Sequence, residues 1–295
     1  MPILVTGATG TIGTQVVEHL VQQGAEVAVV SRSPEKVRFP QGVRIVKGDM
    51  LDVDSMQRAL EGITTLFLLN TVAPDELTQA LITLNLARQA GIERLVYFSV
   101  IHSDLYVNVP HFASKYAVER MIAKLAMPAT ILRPAYFMNN DQAVKDVIVG
   151  HGVYPMPIGD VGLAMADMRD IAEIAAIELL RRERSASVLP LDTIDVVGPE
   201  SLTAATVAEI WGDVLGRRIV PVGSPASFEQ SFRNFAPSWL AYDMRTMTER
   251  FISDGMKPKD GDRERLVGML GRPLRSYRAF ARELISIPAS HAQAL

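Results

Sequence analysis

Seven residues, GATGTIG at positions 7–13, restrict what this chain can fold into more than any other stretch does. They follow a compact apolar run, ILVTGA (3–8), and precede TQVVEHLVQQG (14–24), in which Val16, Val17, Leu20 and Val21 share one helical face and Gly24 suits a C-terminal cap. A strand, a glycine turn and an amphipathic helix form one βα unit. In such a turn one glycine permits the tight bend and another lets the backbone approach a ligand. The helix start then presents unpaired N–H groups and the positive end of its dipole. The pattern predicts a diphosphate cradle made by Gly7, Thr9, Gly10, Thr11, Ile12 and Gly13.

The same alternation continues. EVAVVSR (26–32), VRIVKGD (43–49), ITTLFLLN (63–70), ERLVYFS (93–99) and PATILRP (128–134) are β-branched and nearly continuous in apolar residues, as strands buried on both faces are. Helical patterns separate several of them: DVDSMQRALEG, PDELTQALITLNLARQAG and HFASKYAVERMIAKLA. The expected fold is α/β, a doubly wound parallel sheet of Rossmann type with right-handed crossovers. Beyond residue 150 the texture changes to short strands, Gly and Pro turns and separate helices, MRDIAEIAAIELLRR and LTAATVAEIWGDVLG among them. Residues 1–150 therefore read as a nucleotide-binding domain. Residues 151–295 read as a smaller α+β substrate lobe, interleaved with the first and placed over the strand ends.

Composition narrows the function. A chain of 295 residues with 48% hydrophobic and 21% charged residues can bury a large core. Its formal charge of -3 and lack of a long basic run disfavour nucleic acid and membrane surfaces as partners. With no cysteine, disulfides, thiolate metal sites and cysteine nucleophiles are excluded, and a reducing cytoplasm fits. Strand-like residues begin at Ile3, which leaves no room for a leader, and no apolar run reaches spanning length. His102, His111 and His151 have no metal-ligand spacing, Asp167 and Asp170 read as helix-start residues, and no GxSxG elbow is present, so neither a catalytic metal nor a hydrolytic triad is expected.

The end of the second strand selects the cofactor. Where an NAD site usually carries an acidic residue, this chain has Ser31, Arg32 and Ser33, with Lys36 one turn on. A guanidinium there suits a 2′-phosphate, and a charge-assisted hydrogen bond contributes about 1.5 to 3 kcal/mol. NADP(H) is expected over NAD(H) by about ten- to a hundredfold.

The GATGTIG turn, VVSRSPEK, VKGDMLDVDSMQRALEGI, PHFASKYAVERMI, ATILRPAYFMNN and MADMRDIAEIAA together resemble the NmrA-like group of atypical short-chain dehydrogenases/reductases, over nearly the whole chain. The resemblance implies that Asp49 and Met50 lie beside the adenine, Asn70 and Thr71 beside the nicotinamide ribose or diphosphate, and Ser99 near the nicotinamide. It also implies that Pro134, Ala135 and Tyr136 lead from the sixth strand into the catalytic crevice. Other readings of two residues stay open: Asp49 as a turn starter and Asn70 as a cap.

Typical short-chain dehydrogenases place a tyrosine four residues before a lysine, so that both share a helix face and the ammonium lowers the phenol's pKa. Here Lys115 is preceded at that spacing by His111. Lys115 can still anchor a ribose, and His111 is a candidate acid with helix-start capping as its alternative. Tyr116 lies about a hundred degrees round the helix from Lys115, and Tyr97 and Tyr106 are further candidates, with strand packing and loop exposure as their respective alternatives.

Without the phenol, acceptors whose product charge is delocalised remain accessible. The expectation is an NADPH-dependent reductase of a small conjugated acceptor such as a quinone, azo, imine or dye compound, with Lys115, His111 and Tyr136 as catalytic candidates. Phe137, Met138, Tyr154 and Trp239 are the expected substrate wall, with plain packing as the alternative for each. A non-catalytic NADP(H) sensor acting through a protein partner is the second hypothesis, and a redox-neutral isomerase the third. A homodimer stays open as the assembly.

Overall fold

The computed structural model describes residues 2–286. The first half alternates strand and helix as the sequence pattern requires: β1 (Ile3–Val5), α1 (Thr11–Gln22), β2 (Val27–Ser31), β3 (Arg44–Lys47), α2 (Val53–Leu60), β4 (Thr65–Leu68), α3 (Glu76–Gln89), β5 (Arg94–Phe98), α4 (Pro110–Lys124) and β6 (Ala129–Pro134). There follow α5 (Lys145–His151), β7 (Val153–Tyr154), α6 (Met168–Arg184), β8 (Asp192–Val196), α7 (Ala204–Leu215), β9 (Val220–Pro221), α8 (Pro225–Phe232), α9 (Ser238–Ser253), α10 (Asp262–Leu270) and α11 (Tyr277–Ser286).

The main sheet has seven strands in the order β3-β2-β1-β4-β5-β6-β8. From β3 to β6 the neighbouring strands are parallel, with Leu4 of β1 paired to Ala28 on one side and Leu66 on the other. The order runs outward from β1 in one direction and from β4 in the other. Between them lies the topological switch point, outside whose carboxyl ends open α/β sheets bind ligands. The glycine turn leaves β1 at that place. The Rossmann-type α/β expectation therefore holds; β8 is the strand it did not foresee.

Alternate residues of each strand feed one core layer. Leu4, Ala28, Leu66, Leu68, Leu95, Tyr97, Ala129 and Ile131 meet Met56 and Ala59 of α2, Leu84 and Ala87 of α3, and Val118 and Ile122 of α4. Each large apolar side chain buried this way contributes about 1.5 to 3 kcal/mol.

The chain divides into two compact units, neither continuous in sequence: residues 2–104, 111–133 and 169–194 form one, and 105–110, 134–168 and 195–286 the other. The change of texture at residue 150 and the parting of these units do not coincide. Helix α6, past that residue, belongs to the first unit because its polar anchors reach β6. Glu178 Oε2 accepts from the Thr130 hydroxyl at 2.8 Å, and Arg182 Nε donates to Thr130 Oγ1 at 2.7 Å. Arg182 is buried, and its guanidinium is satisfied by the Leu189 and Pro190 carbonyls. In the second unit β7 and β9 make a separate two-stranded parallel pair. Among the described residues no helix is long and apolar enough to cross a membrane.

Candidate functional site

The turn after β1 is built so that no side chain fits inside it. Gly7 has φ of +61°, and a Cβ there would lie 2.8 Å from the Leu69 carbonyl oxygen. A Cβ on Gly13 would stand 2.3 Å from the Gly7 carbonyl oxygen, which forces the first turn of α1 against the bend. Thr6, fully buried, ties β1 to the end of β4: its hydroxyl accepts from the Leu69 amide at 2.9 Å and lies 3.0 Å from the Leu69 carbonyl oxygen. Gly10 is the N-cap of α1 and offers no capping side chain, and the first turn carries no acid. The leading amides of α1 lack intrahelical acceptors, and the positive dipole end is uncompensated. Thr9, Gly10 and Thr11 are exposed at the mouth of the turn, whereas Ile12 anchors the helix in the core. This is a cradle that a Cβ would fill and whose free donors suit a diphosphate.

At the end of β2 the Ser31 hydroxyl accepts from the Ser33 amide at 3.1 Å. Arg32 is exposed and makes no ion pair among the described residues; Lys36, also exposed, closes the single-turn 3-10 segment Pro34–Lys36. Both cations stand free to meet an anion. Asp49, after β3, accepts from the Leu51 amide at 3.0 Å through Oδ1, so it does start a turn, whatever its second oxygen meets.

Asn70, at the end of β4, donates to Gln79 Oε1 at 3.3 Å and lies 3.8 Å from the Met50 sulfur. Its Oδ1 is buried and has no hydrogen-bond partner. Thr71 beside it is exposed. Asn70, Glu76, Tyr97, Ser114 and Lys115 line one narrow recess, with Leu77, Ala80 and Val118 as its apolar walls. Lys115 is buried, with its Nζ 3.7 Å from Glu76 Oε2. Burial, followed by the Glu76 and Glu119 carboxylates, pushes the Tyr97 phenol well above its ordinary pKa. That is the reverse of the lysine-lowered phenol, so Tyr97 keeps its proton.

One turn further along α4, Glu119 is held by the Ser99 hydroxyl at 2.5 Å, the Ser103 hydroxyl at 3.2 Å and Arg133 Nε at 3.0 Å. Ser99 therefore stands at the strand end with its hydroxyl donating a hydrogen bond to a carboxylate. His111 is buried, edge-on to Phe112 with ring centroids 4.7 Å apart, rather than exposed as a simple cap would be. Tyr116 is half-buried.

The remaining expected residues lie in the second unit, and a different cluster organises them. Asp141 is fully buried, and its Oδ2 accepts from Tyr154 at 2.9 Å and also from Tyr277; Tyr136 stands 3.5 Å from Oδ1. Trp211 Nε1 in turn donates to the Tyr277 oxygen at 3.0 Å. Burial pushes the Asp141 carboxyl up to about 6 against the lowering effect of its three tyrosine donors. Tyr136 and Tyr154, expected as catalytic and wall residues, are thus joined through their hydroxyls. Met138 is fully buried against the Gly198 backbone side, Phe137 is half-buried, and Trp239 is 37% exposed. Pro134 ends β6 in a buried position. The Tyr106 hydroxyl donates to the Gly255 carbonyl, with Arg250 over its ring at 4.9 Å.

Glu76, Glu119, Arg133 and Asp141 were not singled out by sequence reasoning. Glu76 reads in one dimension as an ordinary acid at a helix start, and only the fold brings it to Lys115. For Asp141 no local pattern marks a carboxylate that Tyr136, Tyr154 and the remote Tyr277 surround.

Residues 1–257 match the NmrA-like family. Over 286 residues the chain is 26% identical to the NAD(P)H azoreductase of Xenophilus azovorans, covering 95% of this chain and 96% of that protein. It is 30% identical over 286 residues to the uncharacterized oxidoreductase YesF of Bacillus subtilis, covering 95% and 94%. Among solved structures, the NADPH-dependent quinone oxidoreductase QOR2 of Escherichia coli, complexed with NADPH, superposes with a TM-score of 0.84 at 23% identity, covering 96% of this chain and 99% of that one.

Proposed function

This chain belongs to the NmrA-like family, and from that membership we propose that it is an NADPH-dependent reductase of a small conjugated acceptor, such as a quinone, azo, imine or dye compound. The observation that carries the reading is the turn at Gly7 and Gly13, which no side chain can enter and whose helix end is left without a cap or an acid. The azoreductase and quinone oxidoreductase likenesses support it.

In this reading Gly7, Thr9, Gly10, Thr11, Ile12 and Gly13 hold the diphosphate, and Arg32 with Lys36 and Ser31 takes the adenosine phosphate. Asp49 and Met50 border the adenine, while Asn70, Thr71, Ser99 and Lys115 border the nicotinamide ribose. A bound reduced nicotinamide supplies a hydride. The protein orients it and keeps water from the ring. A tyrosine of lowered pKa is missing, because His111 occupies the position before Lys115 and Tyr97 faces carboxylates. The Tyr136 hydroxyl is engaged by Asp141, so the proton step is given to His111. An acceptor that spreads its new charge by conjugation needs that proton least.

Steady-state NADPH oxidation with a panel of quinones, azo compounds and dyes tests the reading. Acceptor-dependent turnover is expected. Saturable nucleotide binding with no turnover on any acceptor would instead make the chain a sensor.

A further inference from the structure

The buried ammonium of Lys115 has one ion pair and no hydrogen bond among the described residues. At 3.7 Å the Glu76 carboxylate is close enough to offset the charge and too far to take up an N–H donor. An unpaired buried cation is costly, so without Glu76 the ammonium has reason to leave the recess. Glu76 is itself buried in the first turn of α3, where the helix dipole favours a carboxylate. Asn70 Oδ1, buried in the same narrow recess, is an acceptor with no hydrogen-bond partner. The recess thus holds a charge-balanced cation with its donors unspent beside an acceptor with no donor.

We propose that Glu76 is the positioning residue for Lys115, holding its ammonium at the recess by charge alone so that all its N–H donors remain for the sugar hydroxyls of the nucleotide. The inference rests on the reductase reading only in naming the nucleotide.

A double-mutant cycle on NADPH affinity, measured by calorimetry with thermal unfolding alongside, tests it. Glu76→Gln keeps the shape and removes the charge, and it is expected to weaken NADPH binding about tenfold. Glu76→Asp is expected to recover part of that loss, and it also stands in should the glutamine variant fold poorly. In a Lys115→Met background, Glu76→Gln should bring no further loss. Unchanged or tighter binding in Glu76→Gln, or the same loss with and without Lys115, would overturn the inference. Failure of the wild-type chain to bind NADPH at all would instead remove the reading beneath it.

Discussion

Two buried carboxylates of this molecule, Asp141 and Glu76, are arranged in opposite ways. In the second unit Asp141 is surrounded by hydroxyls: Tyr154 and Tyr277 donate to one oxygen, Tyr136 approaches the other, and Trp211 extends the network. In the first unit Glu76 and Asn70 share a recess with a cation that makes no hydrogen bond, and the Asn70 oxygen has none to accept. A closed network of the first kind rigidifies a core. Polar groups left open at the end of a parallel sheet have a use for their free valences. The contrast separates the residues that hold the fold from those that await a ligand.

The largest effect is expected where the backbone itself is the site. Gly13→Val drives a side chain into the Gly7 carbonyl, and more than about 4 kcal/mol of stability should be lost together with all NADPH binding. Urea unfolding and nucleotide titration measure the two losses, and wild-type behaviour in either would remove the cradle from the account.

Asp141→Ala follows. Three phenols lose their acceptor, so unfolding free energy should fall by about 3 kcal/mol or more, while the fraction that stays folded binds NADPH as the wild type does. A variant of undiminished stability that fails to bind would collapse the contrast between the two carboxylates.

The same residue predicts a pH dependence. Because its folded pKa is about 6 against an ordinary 3.8, the folded chain holds the proton more tightly than the unfolded one. Its contribution is fully present below the ordinary value and is lost as pH rises through about 6, a span worth about 3 kcal/mol. Subtracting Asp141→Asn from wild type across pH 4 to 6.5 should reveal that slope, and parallel curves would show that the carboxyl does not titrate in this window.

Arg32→Ala comes next, with about 1.5 to 3 kcal/mol expected from the NADPH preference and little from NADH binding. Equal affinity of the wild type for both cofactors would exclude Arg32 as the phosphate reader. Asn70→Ala should be the mildest for the fold: stability should change by about 1 kcal/mol, since the oxygen removed had no partner and only the long Nδ2 hydrogen bond to Gln79 is lost. Its NADPH affinity should nonetheless fall, and a variant that binds normally would make the orphan acceptor incidental.

Much of the first unit was legible from its pattern. Strands β1, β2, β4, β5 and β6 and the neighbouring helices follow from continuous apolar runs and helical periodicity, because those strands are largely buried and local sequence carries that signal; edge strand β3 is exposed or half-buried throughout. The glycine turn was equally readable, since its requirement for missing side chains is local. The extent of the first unit was not: α6 joins it through Glu178 and Arg182, whose partner Thr130 is remote in sequence. Nor were the partners of Lys115 and Tyr136 readable. Glu76 and Asp141 acquire their meaning from tertiary neighbours, and helix-start or turn-like surroundings disguise them.

The most direct test of the account is calorimetric titration of the wild-type chain with NADPH and NADH. The account predicts saturable one-site binding, tighter for NADPH by about ten- to a hundredfold. Absence of heat and saturation with both nucleotides would contradict it.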